Sequence, residues 1–233
     1  MASNDAQLAN LRDKEHFPAF EDLAWDNHLG PHYYRERENG FWEPHKHWVF
    51  IGEIVEVEID LRVKLTVKDR DGLEIPVAIY TEARGVEIGP SNLQVGNTVV
   101  IFYAVKHLFM DMTIGIRHED LQYLKIFPIS LDNMMQLSDR VQTHATLTDG
   151  MRTCHACSKK SAKLMKCAKC GFFWYCSQNC QLRGWNEKGH KADCKMLRDG
   201  NFKGLFSIKW GEFHNHISFR CAFHSDGVWV DWI

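Results

Sequence analysis

Seven of the eight cysteines of this chain lie within 41 residues, and none precedes Cys154. With one histidine they form the series Cys154-x2-Cys157-x9-Cys167-x2-Cys170-x5-Cys176-x3-Cys180-x9-His190-x3-Cys194. A CxxC turn aims two sulfurs at one point, and Cys176/Cys180 and His190/Cys194 are i, i+4 pairs that share a helical face. Ser177 stands where it can cap the first of these helices. Eight soft or borderline ligands make two sets of four, the requirement of two tetrahedral zinc ions. A disulfide framework needs an oxidising compartment, and a redox CxxC leaves His190 without a purpose. An all-cysteine set beside a set of three cysteines and one histidine favours zinc over an iron–sulfur cluster. With every position filled by protein, no water can be activated, so the metal is structural. It supplies roughly 10–16 kcal/mol per ion in small fingers, without which about 45 residues could hardly build a core.

Spacing alone leaves open which ligands share an ion. The eight ligands, the tyrosine before the fifth ("YCSQNC") and the helix "CQLRGW" resemble the MYND-type zinc finger, over Cys154 to Cys194. That resemblance implies interleaved sets: Cys154, Cys157, Cys176 and Cys180 on one zinc, and Cys167, Cys170, His190 and Cys194 on the other. It also implies a protein-interaction module that takes short proline-rich peptides in a shallow groove. Gln181 and Trp185 fall at the positions of the groove's polar contact and aromatic wall. A tryptophan face suits proline segments, which are rigid and lose little entropy on docking. The other reading of Trp185 is that it covers the zinc core. Phe172, Phe173 and Tyr175 read as core fillers ahead of recognition residues, and Phe173 or Trp174 is the lesser candidate to line the groove.

The formal net charge of −2 conceals an asymmetry. Residues 47–128 carry 8 basic and 12 acidic side chains, and residues 151–200 carry 11 and 3. The change of sign near Gly150 marks a domain boundary. From Trp48 the apolar residues recur at period two, in "WVFIGEIVEVEID", "LRVKLTVKD", "LEIPVAIY", "LQVGNTVVIFYAV" and "MTIGIRHEDLQYLKIF". Asp71-Gly72 signals a hairpin whose two residues tolerate positive φ, and Pro76 an edge or bulge. Five strands in about 80 residues resemble the OB-fold barrel. The expected fold class is therefore α+β, a small OB-like β-barrel followed by a small finger with short helices. The expected segments are an N-terminal arm over 1–46, the barrel over 47–128, and a linker with a short helix over 129–150. The finger then covers 151–197 and an aromatic C-terminal tail 198–233. In the arm, Tyr33, Tyr34, Phe41 and Trp42 anchor it to the barrel. In the linker, Ser130 caps a helix whose shared face holds Leu131, Met134, Met135 and Val141. The tail reads as short strands, with Trp210, Trp229 and Trp232 in need of packing.

The leading function is a non-enzymatic, zinc-binding adaptor or regulator whose partner presents a proline-rich peptide. The alternative is a nucleic-acid-binding transcription regulator using the barrel and the basic finger loops, with Tyr80, Phe102, Tyr103 and Phe109 as stacking aromatics. The barrel's negative charge disfavours it. The finger's lysines are either a solvated surface that offsets thiolate charge or a face for an acidic partner or nucleic acid. A SET-type methyltransferase ranks lower, because Asn215-His216 lacks the cysteine cluster that should follow. His214, His216, Cys221 and His224 are too irregularly spaced for a third metal site, and Cys221 reads as an apolar filler. No stretch spans a membrane and the N-terminus has no secretory pattern, so the expected location is intracellular, cytoplasmic or nuclear.

Overall fold

The computed structural model describes residues 8–219. The chain forms two compact units, Asp13–Asn133 with Lys209–Ile233, and Met1–Arg12 with Met134–Ile208.

The first unit is the barrel. A small hairpin, β1 (Tyr34–Glu36) and β2 (Trp42–Pro44), precedes β3 (Val49–Ile59), β4 (Val63–Asp69), β5 (Glu74–Ile79) and β6 (Thr98–Phe102). Then come β7 (His107–Leu108), β8 (Ile114–His118) and β9 (Leu124–Phe127). The long strand β3 pairs antiparallel with both β4 and β6, and β4 pairs with β5. β5 takes β8 as a parallel neighbour, and β9 pairs antiparallel with β6. β8 and β9 are separated only by a 3-10 turn at Leu121–Tyr123, capped by Asp120. They act as one interrupted strand that joins β5 to β6 and closes the sheet. Five strands closed in this order form an OB-like barrel.

The interior is aliphatic and aromatic: Phe50, Ile54, Leu65, Val67, Val77, Ile79, Val99, Ile101 and Ile116 are buried there. Trp48 is fully buried, and its indole N–H donates to the Ala104 carbonyl at 2.9 Å, which removes the penalty of burying the donor. Gly115 is dictated by closeness of backbones, since a Cβ there would lie 2.3 Å from the Pro76 carbonyl oxygen.

Several expectations need correction. β5 is an internal strand, not an edge; Pro76 sits one residue before its ladder with β8 begins at Val77. The β4–β5 turn is wider than a two-residue Asp-Gly turn. Asp69 pairs its backbone with Leu73, its carboxylate accepts the N–H groups of Asp71 and Leu73, and only Gly72 has positive φ. Tyr33 and Tyr34 pack on Trp48 at 4.5 and 5.4 Å between ring centres. Phe41 and Trp42, however, sit at the β1–β2 hairpin and are 71% and 42% exposed.

The start of β3, "VFIG", is buried on both faces instead of alternating. Phe102, opposite Val49 on β6, is covered by chain segments outside the barrel strands. Trp210 stacks parallel to Phe102 and packs on Phe17, and Phe219 lies 4.8 Å from Phe102. The His47 and Phe219 N–H groups donate to Trp210 and Gln122 carbonyls. This stretch forms no strand among the described residues; Cys221, His224, Trp229 and Trp232 lie outside them.

The second unit holds most of α1 (Leu131–Ala145), a helix of 15 residues where a short one is expected. Met134, Met135, Leu137, Ser138 and Val141 form its buried face, Leu131 is only half-buried, and Ser130 accepts from the Asn133 N–H as a cap. Two two-residue pairs and short helices follow: β10 (Arg152–Thr153) with β11 (Lys160–Ser161), and β12 (Met165–Lys166) with β13 (Trp174–Tyr175). The helices are α2 (Gln178–Glu187), α3 (His190–Met196) and α4 (Gly200–Ser207). Asp199 caps α4, whose Phe202, Leu205 and Phe206 are buried. The bidentate pair of Arg140 on α1 with buried Asp193 on α3 ties the finger to α1 at 2.7 and 2.8 Å.

Trp210→Ala removes a buried aromatic cover from the barrel and is expected to cost about 3–5 kcal/mol. Urea unfolding followed by barrel tryptophan fluorescence measures it.

Candidate metal centre

Short backbone devices bring the ligands together. The Cys154 N–H donates to Lys159 and the Ser158 N–H to Cys154, so the β10–β11 turn folds Cys154 and Cys157 into one knuckle. The second knuckle repeats this, with the Cys167 N–H on Phe173 and the Gly171 N–H on Cys167. Gly171 has φ +79, a conformation that a side chain disfavours. Cys176 leaves β13, Ser177 caps α2 by accepting from the Cys180 N–H, and His190 and Cys194 project from α3 one turn apart.

Two tetrads result, Cys154, Cys157, Cys176 and Cys180, and Cys167, Cys170, His190 and Cys194. Within each, the ligand atoms all lie within 4.8 Å of one another. A tetrahedral ion with bonds of about 2.3 Å to sulfur places ligand atoms about 3.8 Å apart. Cys157 and Cys176 sulfurs are 3.6 Å apart, and Cys170 sulfur is 3.4 Å from His190 Nε2. The donors and their separations therefore fit two zinc ions, in interleaved sets. All four residues of the second tetrad are buried, whereas Cys157 in the first is exposed. Burial, and then the facing Cys170 and Cys167 sulfurs, push the Cys194 thiol up to about 12. Burial also raises the Cys170 thiol, and a bound cation is what brings such thiols to their ligating thiolate form.

A second layer holds His190. With Nε2 directed at the sulfurs, Nδ1 carries the proton and donates to the Tyr175 hydroxyl oxygen at 2.6 Å. Burial, followed by the thiols of Cys167 and Cys170, raises the Tyr175 pKa and keeps its hydroxyl protonated. That hydroxyl lies 3.5 Å from His155 Nδ1. Burial first, then His144 and His190, lower His155 to about 3, so it is neutral and can accept. Such outer contacts fix a ligand's tautomer and orientation. Gly184 makes the room: a Cβ there would fall 2.5 Å from Tyr175 Cε1 and 3.2 Å from His155 Nδ1.

The roles of Tyr175, His155 and Gly184 are not visible in the ligand spacing. A glycine inside a ten-residue helix, at a cost of about 1 kcal/mol against alanine, is the signal that points to a close approach there.

Gln181 and Trp185 lie one turn apart on α2. Gln181 is exposed and Trp185 half-buried. The Trp185 ring meets His190 edge-on at 5.4 Å, and Lys169 Nζ stands 5.6 Å from its centre. Phe173 and Tyr175 are fully buried and Phe172 nearly so, while Trp174 is half-buried under Arg152. In the barrel, Tyr80 has the guanidinium groups of Arg62 and Arg117 at 3.6 and 4.6 Å from its ring centre. Phe102 is covered by Trp210 and Phe219, and the Tyr103 hydroxyl is bound to His47 and to the Ile217 N–H. His214 and His216 are exposed, and no third cluster of metal-binding side chains occurs among the described residues.

Residues 154–194 match the MYND finger family, so this segment is a MYND finger. The chain is 37% identical over 54 residues to the SET domain and MYND-type zinc finger protein 6 of Schizosaccharomyces pombe, covering 23% of this chain and 11% of that protein. It is 36% identical over 74 residues to SET domain-containing protein 14 of Caenorhabditis elegans, covering 31% of this chain and 17% of that one. The chain thus spans a small fraction of the length of both relatives. An OB domain from Methanosarcina mazei aligns at a TM-score of 0.29 and 10% identity, over 42% of this chain and 86% of the domain. Among the described residues no helix is long and apolar enough to cross a membrane.

Tyr175→Phe deletes the acceptor for His190 Nδ1 and is expected to weaken zinc at the second site 10- to 100-fold. Gly184→Ala, which drives a methyl group into Tyr175, is expected to act in the same direction. Chelator competition, resolving one tight and one weakened ion per chain, measures both.

Proposed function

We propose that the protein is a non-enzymatic, zinc-stabilised adaptor or regulator whose finger binds a short proline-rich peptide along α2. The observation that carries this reading is the pairing of Gln181 with Trp185 on one side of α2, outside two tetrads whose four positions are all supplied by protein. Filled tetrads leave no position for an activated water, which supports a structural metal and an interaction role. Trp185 offers a half-exposed indole for a proline ring, and Gln181 an exposed amide for a peptide carbonyl. The SET domains in the names of the two relatives carry no weight here, because 11% and 17% of those proteins are matched. The protein is expected to work inside the cell, in the cytoplasm or the nucleus.

A second reading, a nucleic-acid-binding transcription regulator, has one favouring observation, the two guanidinium groups around Tyr80. It is weakened by the covering of Phe102 and by the hydrogen bonds held by Tyr103.

Titration of the zinc-loaded chain with a proline-rich peptide carrying a leucine anchor tests the first reading. Trp185→Ala is expected to abolish binding with two zinc ions retained. Because Trp185 touches His190, the exposed Gln181→Ala serves as the second variant, with an expected loss of about tenfold, the effect of one good hydrogen bond. Absence of saturable binding to the zinc-loaded chain would sink the reading. Retention on single-stranded DNA with a steep salt dependence would instead favour nucleic acid.

A further inference from the structure

A cavity of about 510 Å³ opens in the finger unit away from Gln181 and Trp185. Its wall contains Arg152, Lys166 and Lys203 and, among the described residues, no acidic side chain. The remainder includes Leu147, Phe172 and Trp174. Two details go beyond a basic surface. First, Arg152 lies over Trp174 at 4.3 Å and Lys203 over Phe172 at 5.9 Å, so the cations are set against aromatic walls. Second, Lys166 and Lys203 converge on Gly171. A Cβ placed there would lie 3.8 Å from the Lys166 ammonium and 3.9 Å from that of Lys203. A single atom-sized space therefore touches both positive groups, and the residue beneath it has no side chain.

Two like charges gathered around one empty space repel each other, and an anion between them removes the repulsion. Offsetting thiolate charge does not require convergence, since lysines spread over the surface do that equally well. The cavity has room for a side chain, with an apolar wall at Leu147 for it to rest on. A nucleic acid would favour a track of charges along the backbone, while these three line one cavity.

We propose that this cavity is a second peptide site, which takes an acidic segment with a carboxylate between Lys166 and Lys203 and a neighbouring apolar side chain against Leu147. It is independent of the α2 reading. The partner is a protein segment in which aspartate or glutamate flanks a leucine or similar residue.

The test uses the full zinc-loaded chain and a fluorescein-labelled peptide of four glutamates around one leucine, followed by anisotropy at physiological salt. Saturable binding is expected, with at least a tenfold loss in Lys203→Glu and a further loss when Lys166→Glu is added. Lys159→Glu with Lys163→Glu makes the same charge change on the finger outside the cavity, and is expected to shift affinity by about twofold or less. Trp185→Ala is expected to leave this binding unchanged, which separates its failure from that of the α2 groove. Zinc content of two per chain confirms that each variant is folded. Equal loss in the two charge-reversal pairs, or no saturable binding, overturns the proposal. A single-stranded oligonucleotide of equal charge that binds more tightly and loses affinity in the same variants overturns it in favour of nucleic acid.

Discussion

Four ligand atoms within 4.8 Å of one another, three of them buried sulfurs, are stable together only when a cation shares the space. The rest of the finger serves this requirement. The chain contributes two knuckles and two helix starts, each closed by local hydrogen bonds, and none of these pieces has a core of its own. What they lack in apolar contact is supplied by ligation and by the layer behind it. Tyr175 fixes the tautomer of His190, and Gly184 leaves room for Tyr175. Arg140 holds Asp193 from α1, so the helix that carries His190 and Cys194 is anchored at both its ligands and its back. Removing Arg140 would strand a buried carboxylate, which is worse than never having buried the pair.

The barrel answers a different constraint. An open sheet of these strands would expose the edges of β5 and β6. One interrupted strand, β8 and β9, satisfies both edges, parallel to one and antiparallel to the other. The interruption at Leu121–Tyr123 is what allows a single segment to change partners. Gly115 then becomes obligatory, because the parallel contact brings it against the Pro76 carbonyl.

How much of this was legible in the sequence follows from range. The ligand types and their count are local, and so are the i, i+4 pairs and the Ser177 cap; all appear in the spacing. Which knuckle joins which helix is decided by contacts such as Cys157 with Cys176 and Cys170 with His190, about 20 residues apart, and spacing carries no record of them. The five apolar runs declared the strands for the same local reason. The double burial at the start of β3 did not show, since Phe102, opposite Val49 on β6, takes its cover from Trp210 and Phe219, far along the chain. Period two reports the face a strand buries in its own barrel and is silent on a later segment laid over the other side. Phe41 and Trp42 misled in the opposite sense. Aromatic residues are usually anchors, yet these two sit in a small hairpin whose geometry turns them outward. Gly184 was readable in principle as an unfavourable helix residue, but the side chain it accommodates, Tyr175, lies on another element.

The two faces of α2 connect stability with recognition. Cys180 and Gly184 look inward, to the first tetrad and to Tyr175. Gln181 and Trp185 follow each of them by one residue, about 100° further round the helix. Trp185 is thereby held between His190 and Lys169 without being fully covered. A side chain fixed in this way has little rotamer freedom left to lose when a ligand arrives, and lost freedom is a main cost of binding. The same argument applies to Arg152 and Trp174, which are already stacked before any anion approaches. In a finger too small for a conventional core, the contacts that keep the ligands in place also preorganise the surface, so the structural role of the metal is the physical basis of the proposed recognition.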